Sequence, residues 1–389
     1  MKNYLTYRAA ILSTVICCSA LGFENIVHAA AFTPGNLVVV QVGTGAAGLN
    51  GNATACSLLE FGTGGGAAVQ TIAMPTAVSG ANQPLTLSGS ATSEGFLTLS
   101  TDGQYLTMGG YNAIPGTAGV ATSLVGAVNR VVGRISLGGT VDTSTALGDA
   151  YSGSNIRSTV STDGNTIYTS GNAGSGLGTT GGTRITTLGS ATSVQINPTT
   201  SNNRVANIFN GQLYVSAASG TFFGISTVGS GLPTLAGSGP LTILPGMPTS
   251  TGRSPYDFWF KDANTVYVAD DGSAANFGGI QKWVLSAGIW SLQYTLLNTG
   301  ATTTGVRGLA GTLDGSGNAV LFGTTSATTG SLITLTDTGA GSLATVLATA
   351  PANTSFRGVE FLPTAVPEPT SAALLLLGGA ALALRRKKA

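Results

Sequence analysis

The 389 residues suffice for one large all-β domain or two smaller ones, yet only 8% are charged, against roughly 25% in an ordinary soluble domain. Glycine, at 58 residues, is about twice its usual share of roughly 7%, and Ser and Thr fill much of the rest. Short strands joined by tight turns fit this composition and a cytosolic helical enzyme does not, while an apolar content of 42% excludes plain disorder.

Residues 1–29 read as a signal peptide. Lys2 and Arg8 form a basic start, Ala9 to Leu21 an apolar run, and Val27-His28-Ala29 a small-residue site for signal peptidase. The run is short of the about 20 residues that a comfortable membrane span needs. Cys17, Cys18 and His28 all lie in this leader. The exported body then keeps one thiol, Cys56, and no histidine, which removes Ser-His, Cys-His and His-metal chemistry from its repertoire. Charge is apportioned in the same way. Of 16 Lys and Arg, six lie at the two ends and ten in the body; of 15 Asp and Glu, Glu24 is in the leader and 14 remain. A body of about −4 carries no footprint for nucleic acid, which asks for a basic patch or stripe.

After the strand-like run Leu37–Val42 comes Gly43-Thr-Gly45-Ala-Ala-Gly48, with Glu60 beyond it. A dinucleotide fingerprint needs a helix directly after the glycines, and Asn50-Gly51-Asn52 interrupts any helix there. The segment is expected to be a glycine-rich loop between strands.

Residues 32–363 repeat a strand, an Asp- or Asn-containing turn and a second strand. The copies start near 96, 157, 204, 256 and 306, with turns at Asp102-Gly103, Asp163-Gly164, Asn210-Gly211, Asp262 and Asp314-Gly315. Asp-Gly and Asn-Gly between alternating runs are the strongest short hairpin signal. Two more strand-like runs follow each hairpin, as at Leu332–Thr336 and Leu343–Ala348. Four strands per unit of about 50 residues predict a β-propeller. Phe356–Phe361 reads as a first strand lacking a second, and Leu37–Val42 as a second lacking a first. Joining them predicts six blades, closed by pairing of the two ends; a Gly/Thr-rich β-helix is the rival architecture.

Three groups of residues are candidates for chemistry. Arg157, Arg204, Arg307 and Arg357 begin or nearly begin innermost strands, and Arg253 lies just before another. Such starts gather at one mouth of a propeller, so the five predict either an anion-binding rim or ties that hold blades together. Glu94 and Gly95 stand at the corresponding place of the remaining blade. Asp270 and Asp271, with Asp257, offer oxygen ligands for a hard cation such as Ca2+; a solvated loop is the plainer reading, and no other cofactor is expected. Trp259, Trp283 and Trp290 suit a sugar-stacking platform or, more simply, inter-blade packing.

The far end, residues 364–389, reads Val366-Pro367-Glu368-Pro369, then the apolar stretch Ala372–Leu384, then Arg385-Arg386-Lys387-Lys388. These residues resemble the PEP-CTERM sorting domain: Pro-Glu-Pro, a short hydrophobic helix and a basic end. The resemblance implies a transient inner-membrane helix, with the basic end kept cytoplasmic. It implies cleavage by an exosortase-type protease near Pro367-Glu368-Pro369, and release to the surface or extracellular matrix of a Gram-negative bacterium. It also implies a link to exopolysaccharide or biofilm. The sequence therefore predicts a non-catalytic binding or structural protein of that matrix, with acidic polysaccharide as partner. A lactonase- or lyase-like propeller enzyme is the alternative.

Overall fold

A computed structural model describes residues 30–198, 202–250, 252–296 and 305–364. The leader, and the sorting tail from residue 365, lie outside the described residues. The architecture is an all-β six-bladed propeller, with no helix among the described residues long and apolar enough to cross a membrane.

Each blade is a four-stranded antiparallel sheet. From the innermost strand outwards, blade 1 is Ser355–Phe361, Leu37–Val42, Cys56–Phe61 and Gln70–Ala73. Blade 2, in the same direction, is Leu97–Leu99, Tyr105–Tyr111, Arg130–Ser136 and Val141–Leu147. Blade 3 is Ile156–Ser161, Thr166–Gly171, Gly182–Thr187 and Val194–Asn197. Blade 4 is Asn203–Phe209, Gln212–Ser219, Phe222–Val228 and Leu241–Ile243. Blade 5 is Pro255–Asp262, Thr265–Asp270, Gly279–Ser286 and Ile289–Leu296. Blade 6 is Val306–Leu313, Ala319–Thr325, Ser331–Thr336 and Thr345–Thr349. The innermost strand of every blade packs against that of the next, and Ser355–Phe361 packs against Leu97–Leu99. Within blade 1, Leu37 lies opposite Phe361 and Val42 opposite Ser355.

The hairpin turns owe their shape to their own side chains. Asp163 accepts from the amides of Asn165 and Thr166 at 2.9 and 2.7 Å, Asp262 from that of Asn264 at 2.8 Å, and Asp314 from those of Ser316 and Asn318 at 2.8 Å. These are Asx turns, in which a carboxylate satisfies backbone donors that the reversal leaves free. The recurrent aspartates thus make turns. Blade 2 is the long repeat because its second and third strands are separated by an excursion from Asn112 to Asn129, which carries a short 3-10 turn at Val120–Thr122. The loop after Gly43 forms no helix; it leads to a small extra ladder, Ala53–Thr54 with Leu87–Ser88.

Apolar side chains fill the wedges between blades. Trp283 and Trp290, 4% and 5% exposed, pack with Val205, Ile225, Phe258 and Met247 between blades 4 and 5. Polar ties cross other wedges. Arg130, fully buried in blade 2, donates through Nη2 to the carbonyls of Ser123, Tyr151 and Ser154 at 2.6, 2.7 and 2.9 Å. Asp337, after the third strand of blade 6, accepts from the hydroxyls of Tyr267 and Tyr294 in blade 5 at 2.6 and 2.8 Å and pairs with Lys282 at 2.9 Å.

Candidate functional site

The innermost strands share an irregularity near their starts. In blade 3 Ile156 pairs with Gly171 and Ser158 with Ser170, so Arg157 is an extra residue with no partner opposite. The same happens at Arg307 between Val306 and Gly308 in blade 6. In blade 4 the register slips across Arg204-Val205, and in blade 5 across Tyr256-Asp257. In blade 1 it slips between Val39 and Gln41, opposite Arg357-Gly358. A β-bulge breaks the in-out alternation of a strand and re-aims a side chain. Here the bulge repeats at one level of the propeller, and in four blades it carries an arginine.

Four of the five sequence-predicted arginines converge. Arg157, Arg204 and Arg357 are 7%, 8% and 5% exposed. Their charges are felt in sequence round the mouth: Arg157 by Arg204, and both Arg204 and Arg357 by Arg307. Burial, reinforced by Arg204's like charge, lowers the Arg157 guanidinium to about 10. Burial likewise lowers Arg357 to about 10, with Glu94 opposing and Arg307 assisting. Tyr256 lies among them, its ring 3.8 Å from the Arg204 guanidinium and 5.6 Å from that of Arg307. Arg253 stands apart: its guanidinium covers Phe277 at 3.9 Å and Trp283 at 5.4 Å, on the third-strand side of blade 5.

The arginines bridge blades and keep donors in reserve. Arg157 Nη1 donates to Asn202 Oδ1 and, at 3.2 Å, to the carbonyl of Asn203 in blade 4. Arg204 Nη1 donates to Ser254 Oγ and to the Pro255 carbonyl, both at 2.9 Å, ahead of and within blade 5. Arg357 Nη2 reaches the Gly89 carbonyl at 3.2 Å, before blade 2. Arg307 Nε pairs with Asp271 of blade 5 at 3.0 Å. Among the described residues, Nη2 of Arg157, Arg204 and Arg307 donates to nothing. The Nε groups of Arg157, Arg204 and Arg357 are buried without a hydrogen-bond partner. A guanidinium offers five N–H donors, so ties to neighbouring blades leave capacity for a carboxylate, sulfate or phosphate.

Blade 2 completes the mouth differently. Gly95 is at φ +76°, a left-handed conformation that favours glycine, and a Cβ there would meet Leu87 at 2.8 Å and the Arg357 stem at 3.4 Å. Its neighbour Glu94 is fully buried and accepts from Tyr111 Oη at 2.6 Å, from Asn155 Nδ2 at 2.8 Å and from the Ser88 amide. Burial raises this carboxyl, and those three donors and the charge of Arg357 oppose the rise.

The three aspartates proposed as cation ligands are not gathered. Asp270 is fully buried and accepts from the amides of Ser254 and Gly272 and from Gln281 Nε2 at 2.8, 2.9 and 3.0 Å. Asp271 turns the other way, to Arg307. Asp257 is held by the amides of Phe258 and Leu309 at 2.9 and 3.1 Å. Among the described residues no set of three or more His, Cys, Asp or Glu side chains comes together to hold an ion. Asp270 ends the strand Thr265–Asp270 and Asp271 begins the loop after it, where the two carboxylates part.

Sequence reading passed over Tyr256 and Glu360. Tyr256 occupies the bulge level where four other blades place arginine, and that alignment was the available signal. Glu360 lies towards the far end of the blade 1 inner strand Ser355–Phe361, away from the arginines.

Comparisons with known proteins identify the C-terminal segment. Residues 365–388 match the PEP-CTERM protein-sorting motif. No curated protein matches the chain. Among solved structures, a putative 6-phosphogluconolactonase from Bacteroides fragilis NCTC 9343 is 12% identical with TM-score 0.43, over 80% of this chain and 81% of that one. Kuenenia stuttgartiensis hydrazine synthase is 12% identical with TM-score 0.41, over 81% and 80%. A putative oxidoreductase (glucose dehydrogenase) from Thermus thermophilus is 13% identical with TM-score 0.37, over 73% and 93%. Likeness of this degree carries no argument about chemistry. The sorting motif does: it marks a chain that is exported, transiently anchored by its C-terminal segment and processed by an exosortase. The chain is an exported six-bladed β-propeller protein that carries a PEP-CTERM protein-sorting motif at residues 365–388.

Proposed function

We propose that the protein is a non-catalytic binding or structural component of the exopolysaccharide or biofilm matrix at a Gram-negative cell surface. Its arginine mouth takes acidic groups of that polysaccharide. On this reading signal peptidase removes residues 1–29, the propeller is 32–363, and the exosortase acts on the tail at Val366-Pro367-Glu368-Pro369. The observation that carries the proposal is the recurrent bulge, which brings Arg157, Arg204, Arg307 and Arg357 together with donors unspent. The path of the chain supports it. The blade 1 inner strand runs from Ser355 beside the arginines to Phe361 at the other end, and Leu362–Thr364 leave from there. A protein tethered by its tail therefore turns the arginine mouth away from the tether.

The test is binding of polygalacturonate, with neutral dextran as control, to the protein and to Arg307→Gln and Arg157→Gln variants. Arg307 is the more exposed, but its ion pair with Asp271 is only 17% and 15% exposed, so its loss is expected to cost about 1–3 kcal/mol of stability. Arg157 is buried against Asn202 and Asn203, and its loss is expected to cost about 1–3 kcal/mol. Both variants should bind polygalacturonate several-fold more weakly. Binding to the parent should weaken as salt rises past physiological strength, where the screening length is about 8 Å. Lowered melting temperatures with unchanged binding would leave the arginines as blade ties alone.

A further inference from the structure

At the other end of the axis, the innermost strands of blades 1, 2, 5 and 6 surround a cavity of about 450 Å3, lined by Leu99, Trp259, Thr312, Glu360, Phe361 and Pro363 among others. Polar and apolar surface share its walls, and the aromatic part is fixed from behind. The Trp259 indole rests on Gly311, where a Cβ would come within 2.4 Å of the ring, and it stacks on Tyr267 with centroids 6.0 Å apart. Phe361 is stacked on Phe322, centroids 5.6 Å apart and planes 3° from parallel. One charged group enters this space. Glu360 accepts from the amides of Phe361 and Leu99 at 3.0 and 3.1 Å, which fixes its carboxylate and leaves each oxygen one free lone-pair direction.

The charge of Glu360 is not balanced locally. Its charge acts across the blades on Asp257, a buried carboxyl of the blade 5 inner strand, and helps to raise it. Neither Glu360 nor Asp257 forms an ion pair among the described residues. A Glu360 carboxylate without an ion partner, beside Trp259 and Phe361, favours a positive guest, because burial of an unpaired carboxylate is costly. An inorganic divalent ion suits the site poorly: it asks for six or more oxygens, and Glu360 is the one carboxylate among the lining residues. An organic ammonium ion satisfies both halves, with its charge against a carboxylate and its carbon shell against aromatic faces.

We propose that this cavity is a binding site for an organic ammonium ion, with Glu360 as its counter-charge and Trp259 and Phe361 as its aromatic walls. The site is separate from the arginine mouth and does not depend on what that mouth binds. Because burial holds the Glu360 carboxyl up at about 7, the ion should bind better at pH 8 than at pH 6.

The probe is choline, titrated calorimetrically into the full protein beside 3,3-dimethylbutan-1-ol, its uncharged carbon isostere, and galactose. Choline is expected to saturate one site, and the alcohol to bind about tenfold more weakly. Glu360→Gln should lower choline affinity by about tenfold and erase the difference between pH 6 and pH 8. Trp259→Leu, checked for folding by its melting curve, should weaken choline several-fold, and Arg307→Gln should leave it unchanged. The proposal is overturned if choline fails to bind the folded protein. It is equally overturned if the alcohol or galactose binds as well as choline, or if folded Glu360→Gln keeps the parent's affinity.

Discussion

At the scale of single residues, the same guanidiniums hold blades and face solvent. One or two N–H groups of each arginine reach the neighbouring blade, and the geometry of the planar fork directs the others elsewhere. A lysine could not divide its charge in this way, since its three donors radiate from one point. Glu360 is the residue whose titration should be visible in stability. Burial raises its carboxyl from 4.5 to about 7, and the Phe361 and Leu99 amides only moderate this. Below pH 4.5 the group is neutral in both folded and unfolded chains. Between 4.5 and about 7 the folded state keeps a proton that the unfolded state gives up, so its contribution to stability falls as pH rises. Glu360→Gln should therefore flatten that slope and gain on the order of 2 kcal/mol over the parent at pH 8, discounted because Glu360 is partly exposed. Denaturant titrations at pH 4.5, 6 and 8 measure it; a variant whose stability parallels the parent's at all three would refute the assignment.

At the scale of elements, the innermost strand is where packing is tightest. Gly358 belongs to the bulge of blade 1, and a Cβ there would come within 2.4 Å of the Leu97 amide nitrogen and 2.8 Å of the Gly95 carbonyl. Backbone cannot step aside as a flexible side chain can. Gly358→Ala is therefore expected to force blades 1 and 2 apart and to cost about 1–3 kcal/mol, as overpacking does. Chemical denaturation reads this directly, and an unchanged midpoint would show that the blade contact yields more easily than the distances imply. The same close approach explains why the bulge level uses small residues beside long ones: Arg357 next to Gly358, Arg307 next to Gly308.

For the whole molecule, we propose that Ser355–Phe361 acts as a clasp. It pairs with Leu37–Val42 in its own blade and packs on Leu97–Leu99 of the next, so residues from the two ends of the described chain meet in one sheet. Its loss would expose the edge of Leu37–Val42, and an unpaired apolar edge invites aggregation. Deleting Ser355–Leu362 should abolish cooperative unfolding or cause aggregation, seen as a broadened melting curve or as light scattering. A deletion variant as stable and monodisperse as the parent would refute the clasp.

The sequence by itself determined the sorting motif of this protein and its repeating hairpin, because both are written in short contiguous segments. A Pro-Glu-Pro with its apolar stretch and an Asp-Gly that caps its own backbone each need only a few neighbours along the chain. The Arg157 and Arg204 positions were legible too, as the same point in successive repeats. The tertiary structure alone decided which charges meet. Arg253 has the same apparent phase as its counterparts, yet it lies before the strand and stacks on Phe277 and Trp283. Asp270 and Asp271 are adjacent in sequence, but the strand ends between them, and one meets the Ser254 amide while the other meets Arg307. Glu360 and Trp259 lie about a hundred residues apart and line one cavity only because six inner strands are bent round one axis. Side-chain direction at a bulge, and proximity across a ring, are set by contacts distant in sequence, and no local pattern encodes them.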